Sequence, residues 1–293
     1  MSQLLTARMA LAGSTAEGSA TFTVAPRFGM DSDVDGGLAA VASALGCKPL
    51  TAAKVFSSSM PASYPGHAIP SSVTHPLATI RVRLTASAPW ISDADQAGLA
   101  AVFGSMPKAG VPMVTINQEG EAGRFGYSAA QVAGSHQRAY GIFRDRAPAN
   151  AVYCQDFETY SASPQGRGSG FSPYVCCAAN GYDDLPLYLL DWYPSSPSTD
   201  AAGSVMPAFG YIRSLIPHAP IGIAECNYTT QISTGTTWAG GSQAQWFADA
   251  WAWALANDML LFIPYFLTAH GVPWPPGQAT LTELSAIARA SGL

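Results

Sequence analysis

Acidic side chains in this chain gather just after short apolar runs. RFGMDSD closes on Asp31 and Asp33, PMVTINQ leads into Glu119 and Glu121, and AVYCQDFE closes on Asp156 and Glu158. LYLLDWY carries Asp191, and IGIA runs into Glu225. The chain has only 19 Asp and Glu, so these eight are a concentration rather than a background. Two carboxyl groups that face each other can cleave a glycosidic bond: one protonates the leaving oxygen, and the other attacks the anomeric carbon or activates water. Like-charged neighbours and partial burial raise the pKa of the acid, so it still holds a proton near neutral pH.

Other chemistries lack their signatures. His67, His75, His136, His218 and His270 have neither HxH nor HExxH spacing, so no metal is expected. Cys47, Cys154, Cys176, Cys177 and Cys226 form no CxxC pair. Cys154 and Cys226 sit in strand-like runs and read as small core residues. No Gly-x-Ser-x-Gly elbow and no GxGxxG occurs, which removes a serine hydrolase and a dinucleotide-binding fold. No cofactor is expected.

The carboxylates need elements to hold them. From about residue 25 short apolar or β-branched runs alternate with longer Ala-rich ones, the pattern of βα units and a parallel sheet. Eight strands are expected: Arg27–Ser32, Ala53–Ser58, Leu77–Leu84, Pro112–Gln118, Ala151–Phe157, Leu187–Tyr193, Ile221–Cys226 and Leu260–Phe266. The clearer helices are Gly37–Leu45, Asp93–Pro107, Ser128–Arg146, Ala201–Ile216, Ser242–Ala256 and Thr280–Ala290. Ser92, Ser128 and Ser242 stand where helix caps belong. Eight strands without a compositional break point to one closed (β/α)8 TIM barrel over 21–293, with a doubly wound open sheet as the alternative. Residues 1–20 are small and polar and read as a linker or docking arm.

In such a barrel, side chains that end strands line the functional mouth. Strands four and seven lie on opposite sides of it, so Glu119 and Glu225 can face each other. A retaining mechanism places such carboxyls about 5–5.5 Å apart. Arg81 and Arg83 share one side of the third strand, and Arg83 is a candidate to reach the mouth. Trp192, Tyr193, Trp238, Tyr265 and Trp274 fall at strand ends or in loops, where aromatic rings can stack on sugar faces. Trp246, Trp251 and Trp253 lie within a helix and read as core. Ser161–Ser172 and Tyr193–Ala202 read as loops of the same face.

The chain has 293 residues, 48% hydrophobic and 11% charged, with a net charge of −5. It can therefore bury a large core. There is no basic run, so nucleic acid is not an expected partner; a neutral poly- or oligosaccharide suits the surface better. No stretch reaches the roughly 18 apolar residues of a membrane span. Arg8 lies inside the mildly apolar start rather than before it, so no signal peptide is expected. A cytoplasmic protein, a leaderless one and a piece of a larger extracellular assembly all stay open, as does oligomeric state.

The run TINQEGEAGRFGYSAAQVAGSHQRAYGIFRDRAPANAVYCQDFE resembles the central region of glycoside hydrolase family 26 and related clan A barrels. PIGIAECNYTT resembles the clan's nucleophile strand, QAQWFADAWAWA the helix after it, and LLDWYP the sixth strand. The resemblance spans about Ile80 to Phe266. It implies a retaining endo-glycoside hydrolase with Glu119 as acid/base and Glu225 as nucleophile. It also implies that Tyr193 hydrogen-bonds the nucleophile and that Gln118 stands where the family has His or Asn. Gly120 replaces a frequent Pro, and Tyr265 and Phe266 replace the usual Trp of the last strand. Asp31, Asp156, Glu158 and Asp191 are expected to line the site. Two other readings stay open: a non-catalytic glycan-binding barrel, for instance on a phage tail, and a muramidase- or chitinase-like hydrolase working through Asp156 and Glu158.

Overall fold

The computed structural model describes residues 26–64, 69–120, 122, 126–159, 162, 174–176, 187–193, 201–215, 220–228, 243–267 and 274–293; over 201–204 only the backbone is described. Eight parallel strands close into a barrel in chain order. They are β1 (Arg27–Asp31), β2 (Ala52–Ser57), β3 (His75–Ile80), β4 (Met113–Ile116), β5 (Val152–Glu158), β6 (Leu187–Trp192), β7 (Ile221–Cys226) and β8 (Leu261–Pro264). The helices are α1 (Gly37–Leu45), α2 (Asp93–Gly104), α3 (Ala129–Arg146), α4 (Ala201–Leu215), α5 (Gln243–Ala256) and α6 (Gln278–Ala290). The closed barrel is the expected fold, and the open sheet is excluded.

Period-two alternation sorts the side chains into two cores. Ala52, Leu77, Met113, Val152, Cys154, Leu187, Leu189, Leu261 and Ile263 fill the barrel interior as one apolar plug. Their neighbours one residue along, among them Ala53, Ala78, Val114, Tyr153, Tyr188, Leu190 and Phe262, pack outward against the helices. The fit is close: a Cβ at Gly29 would stand 2.7 Å from the carbonyl oxygen of Ala52, its partner in the β1–β2 register. Only glycine lets β1 close here.

Helix starts follow their caps. Ser92 Oγ accepts from Asp95 N–H at 3.1 Å. Ser128 and Gln131 form a full capping box at the start of α3. Ser242, the linker-like start and the loops 163–172 and 194–200 lie outside the described residues.

Strands β3 and β4 stop earlier than the sequence pattern suggests, for one reason. The chain turns at Asn117, which takes a left-handed φ of 43°, so β4 ends at Ile116 rather than Gln118. The Asn117 side chain then accepts the Val82 N–H at 2.8 Å. That contact replaces a ladder bond, and β3 ends at Ile80 rather than Leu84.

Candidate active site

Above the apolar plug the interior becomes polar. Lys54 of β2 points inward, as alternation from Ala52 requires, and it is wholly buried. Its Nζ lies 2.9 Å from Asp156 Oδ2, 3.3 Å from Asp191 Oδ1 and 3.0 Å from Glu225 Oε1. Gln118 Nε2 donates to Asp191 Oδ2 and to Glu225 Oε1, both at 2.6 Å. Tyr193 Oη donates to Glu225 Oε2 at 2.9 Å. One network thus joins residues from five places around the mouth.

Glu225 enters this network through an irregularity in β7. Ala224 faces the barrel interior, so simple alternation would turn Glu225 outward. The register between β6 and β7 slips there: Leu190 pairs with Ile223, but Asp191 pairs with Glu225. The extra residue returns Glu225 to the inside, as bulges do near functional sites.

The electrostatics follow from three carboxyl groups meeting one ammonium. Burial pushes the Asp191 carboxyl well above its usual range, and Asp156 and Glu225 push it further. Burial also raises Asp156, against the pull of Lys54. For Lys54, burial favours loss of the proton. The carboxylates Asp156, Asp191 and Glu225 outweigh that and raise its pKa above the ordinary lysine value. Burial, then Glu225 and Asp191, lifts the Tyr193 phenol well above its usual value. Such a site binds protons tightly, and its charges hold one another in place.

Asp31, at the end of β1, is buried beside this cluster. Its Oδ1 accepts the Asp33 N–H at 2.8 Å, while Oδ2 has no partner. Burial raises its carboxyl well above normal, and Glu225 adds to the rise. Asp156 Oδ1 is likewise buried and unpartnered.

Glu119 follows the end of β4, buried at 5% exposure with a left-handed φ of 51°. Its N–H donates to the Asp156 carbonyl at 3.2 Å, which ties the β4 end to β5. Two left-handed non-glycine residues, Asn117 and Glu119, therefore flank Gln118. Such strain costs energy and clusters at functional sites. Glu158 is half-buried at the end of β5, in register with Asp191. Arg83 is exposed beyond the end of β3. Tyr265 meets Tyr193 edge-on at 6.4 Å and Phe56 edge-on at 6.4 Å, forming an aromatic arc beside Glu225.

Trp192 is not brought to the mouth. Asp191 faces in, so its neighbour faces out. Trp192 is fully buried between the barrel and α5, with ring centroids 5.1 Å from Trp246 and 5.4 Å from Trp253. It cannot stack on a sugar there. Trp246, Trp251 and Trp253 are core, as expected, and Trp274 packs on Phe266. Trp238 and Glu121 lie outside the described residues. The residue that sequence reasoning missed is Lys54. Its signal was a single charge inside AAKVFS, an otherwise apolar strand. Among the described residues no group of three or more His, Cys, Asp or Glu is arranged to hold a metal ion; the ammonium of Lys54 is the cation of this acid cluster.

No family model matches the chain, and no curated protein matches it by sequence. Solved structures do match. An endo-β-1,4-mannanase of glycoside hydrolase family 26 from Cellulomonas fimi superposes with a TM-score of 0.66 at 14% identity, over 98% of this chain and 74% of its own. A subgroup I endo-β-1,3-glucanase of glycoside hydrolase family 128 from Amycolatopsis mediterranei, in complex with laminaripentaose, gives 0.56 at 16% identity, over 91% and 99%. A family 26 β-mannanase from Bacteroides ovatus gives 0.56 at 11%, over 99% and 93%. In fold, this chain is a (β/α)8 barrel similar to those of glycoside hydrolase families 26 and 128.

Proposed function

We propose that this protein is a retaining endo-glycoside hydrolase that cleaves a polysaccharide, with Glu225 as nucleophile and Glu119 as acid/base. The observation that carries the reading is the grip on Glu225. Oε1 is held by Lys54 and Gln118, Oε2 by Tyr193, and the carboxyl stands at the strand end where barrel chemistry occurs. A carboxylate has roughly four acceptor positions. Three donors fix its orientation and leave one lone pair for attack. Asp156 is less suited to direct work, because its side chain is wholly buried while that of Glu225 keeps an exposed edge.

In the first step a Glu225 oxygen bonds to the anomeric carbon as the bond to the leaving oxygen breaks. Glu119 gives that oxygen its proton. In the second, Glu119 takes a proton from water, the hydroxyl oxygen bonds to the anomeric carbon, and Glu225 leaves as a carboxylate. Preorganised donors on Glu225 steady the charge that returns to it. The similar structures are named for β-1,3-glucan and β-1,4-mannan cleavage. A β-linked glucan or mannan of plant, microbial or cell-envelope origin is therefore the first substrate class for this chain.

The test is reducing-end release from laminarin, curdlan and β-1,4-mannan, with proton NMR of the first product to read its anomeric configuration. Retention in the native protein, lost in both Glu119→Gln and Glu225→Gln, is the expected result. A second reading has an observation of its own. The ion pair between Glu225 and Lys54 could instead serve a barrel that only binds glycan. Saturable binding with no reducing ends from any bound glycan selects that reading.

A further inference from the structure

We infer that Lys54 is a positioning residue of this site: its buried ammonium bridges Glu225 to Asp156 and Asp191 and fixes the Glu225 carboxylate for attack. The catalytic part of this inference rests on the proposed function; the electrostatic part does not.

The geometry argues for a charge-specific role. Lys54 reaches three carboxyl groups on three strands with one ammonium, at 2.9, 3.3 and 3.0 Å. A lysine kept in the interior only for packing would be replaced by methionine without electrostatic consequence, since an isolated buried charge is costly. Here the charge is matched from every side. Asp31 faces the cluster from β1, Asp156 from β5, Asp191 from β6 and Glu225 from β7. Gln118, Tyr193 and Tyr265 complete the surroundings as neutral groups, and the Phe56 ring lies 5.2 Å from Nζ. Without Lys54, four buried acids face one another with no cation among the groups named. Each can then relieve the repulsion only by taking up a proton or by moving, and either disables a nucleophile that must be charged and aligned.

The test compares Lys54→Met, Lys54→Arg and the double variant Lys54→Met/Asp191→Asn with the native protein. Denaturant unfolding is followed from pH 4 to pH 8. Burial already raises Asp156 and Asp191, and Lys54 is a lowering influence on both. Removing it leaves folded-state values further above the unfolded ones. Stability from such groups is present below the unfolded value, about 3.9, and is lost as pH rises through the folded one. Lys54→Met is therefore expected to be near native in stability at pH 4 and progressively weaker toward pH 8, with the double variant recovering much of the deficit. A deficit that is the same at every pH and is not recovered by Asp191→Asn overturns the inference. So does failure of both Lys54→Met and the double variant to fold at pH 5, because it assigns Lys54 a packing role.

The second arm is the pH profile of kcat/KM on whichever glucan or mannan the native protein cuts. Lys54→Met is expected to lose roughly 100-fold at pH 7, as misplacement of a reacting group does, and to shift its acid limb to higher pH. Lys54→Arg, which keeps the charge, is expected to retain the native limb. Loss of activity in Lys54→Met with an unmoved limb overturns the positioning role. If the native protein cuts no glycan, the unfolding series still decides the electrostatic clamp, and only the hydrolase reading falls.

Discussion

Gln118 Nε2 stands 2.6 Å from Glu225 Oε1 and 2.6 Å from Asp191 Oδ2, so a single amide ties the end of β4 to β6 and β7 across the mouth. Both partners are acceptors, which fixes the amide with its NH2 group toward them. Hydrogen bonds to charged groups contribute about 1.5–3 kcal/mol each. Gln118→Ala is therefore expected to lower kcat by about 10- to 100-fold, with KM little changed, because the residue orients Glu225 rather than contacting the sugar. Steady-state kinetics on the cut polysaccharide checks the split. A rise in KM alone would make Gln118 a substrate contact instead.

Tyr193 holds the other oxygen of Glu225. Burial, then the Glu225 and Asp191 charges, pushes its phenol well above the usual value. It therefore stays a donor throughout the neutral and mildly alkaline range. Tyr193→Phe keeps the ring against Tyr265 and removes only the hydroxyl. The expected cost is about 1–2 kcal/mol in transition-state stabilisation, near tenfold in kcat/KM. Unfolding free energy is expected to change by less than about 1 kcal/mol. A thermal-shift measurement beside the kinetics separates the two.

Trp192 faces away from the site despite being one residue from Asp191. Its indole is buried among Trp246 and Trp253. Trp192→Ala is expected to cost about 3–5 kcal/mol of stability, with whatever folds at low temperature keeping its glycan affinity. Tyr265 is buried too, so Tyr265→Ala is also expected to cost stability, but what folds is expected to lose glycan affinity, because that ring lies in the arc beside Glu225. Calorimetric unfolding together with glycan titration distinguishes these outcomes.

The contrast between these residues says what a sequence can carry. All eight strands and six helices were legible, because period-two and Ala-rich runs are local signals. The inward placement of Asp156 and Asp191 followed from strand ends. Trp192 was also readable in principle: if Asp191 lines the site, its strand neighbour must face the helices. Lys54 showed only as a lone charge in AAKVFS; its role was not readable, because it depends on strands five, six and seven meeting strand two across the barrel. Glu225 reaches the interior only through the slip in the β6–β7 register, which no local pattern in IGIAEC announces. The early end of β4 likewise depended on a left-handed Asn117 whose side chain caps a different strand.

Asp31 offers the clearest case of stability given up near the site. It is buried, its Oδ2 has no partner, and burial raises its carboxyl well above the normal range, with Glu225 adding to the rise. A folded value above the unfolded one means that its favourable contribution is present below about pH 3.9 and lost as pH rises through the folded value. At neutral pH the group therefore weighs against the fold. Asn in its place keeps the size and can still accept the Asp33 N–H while carrying no charge. Asp31→Asn is expected to stabilise the protein by about 1–3 kcal/mol at pH 7 and to leave it nearly unchanged at pH 4. Urea unfolding at the two pH values measures this directly. Equal effects at both would mean that the carboxyl titrates alike in the folded and unfolded states and that burial does not raise it. A loss at pH 7 would show that its charge, held beside Lys54, belongs to the balance of the site.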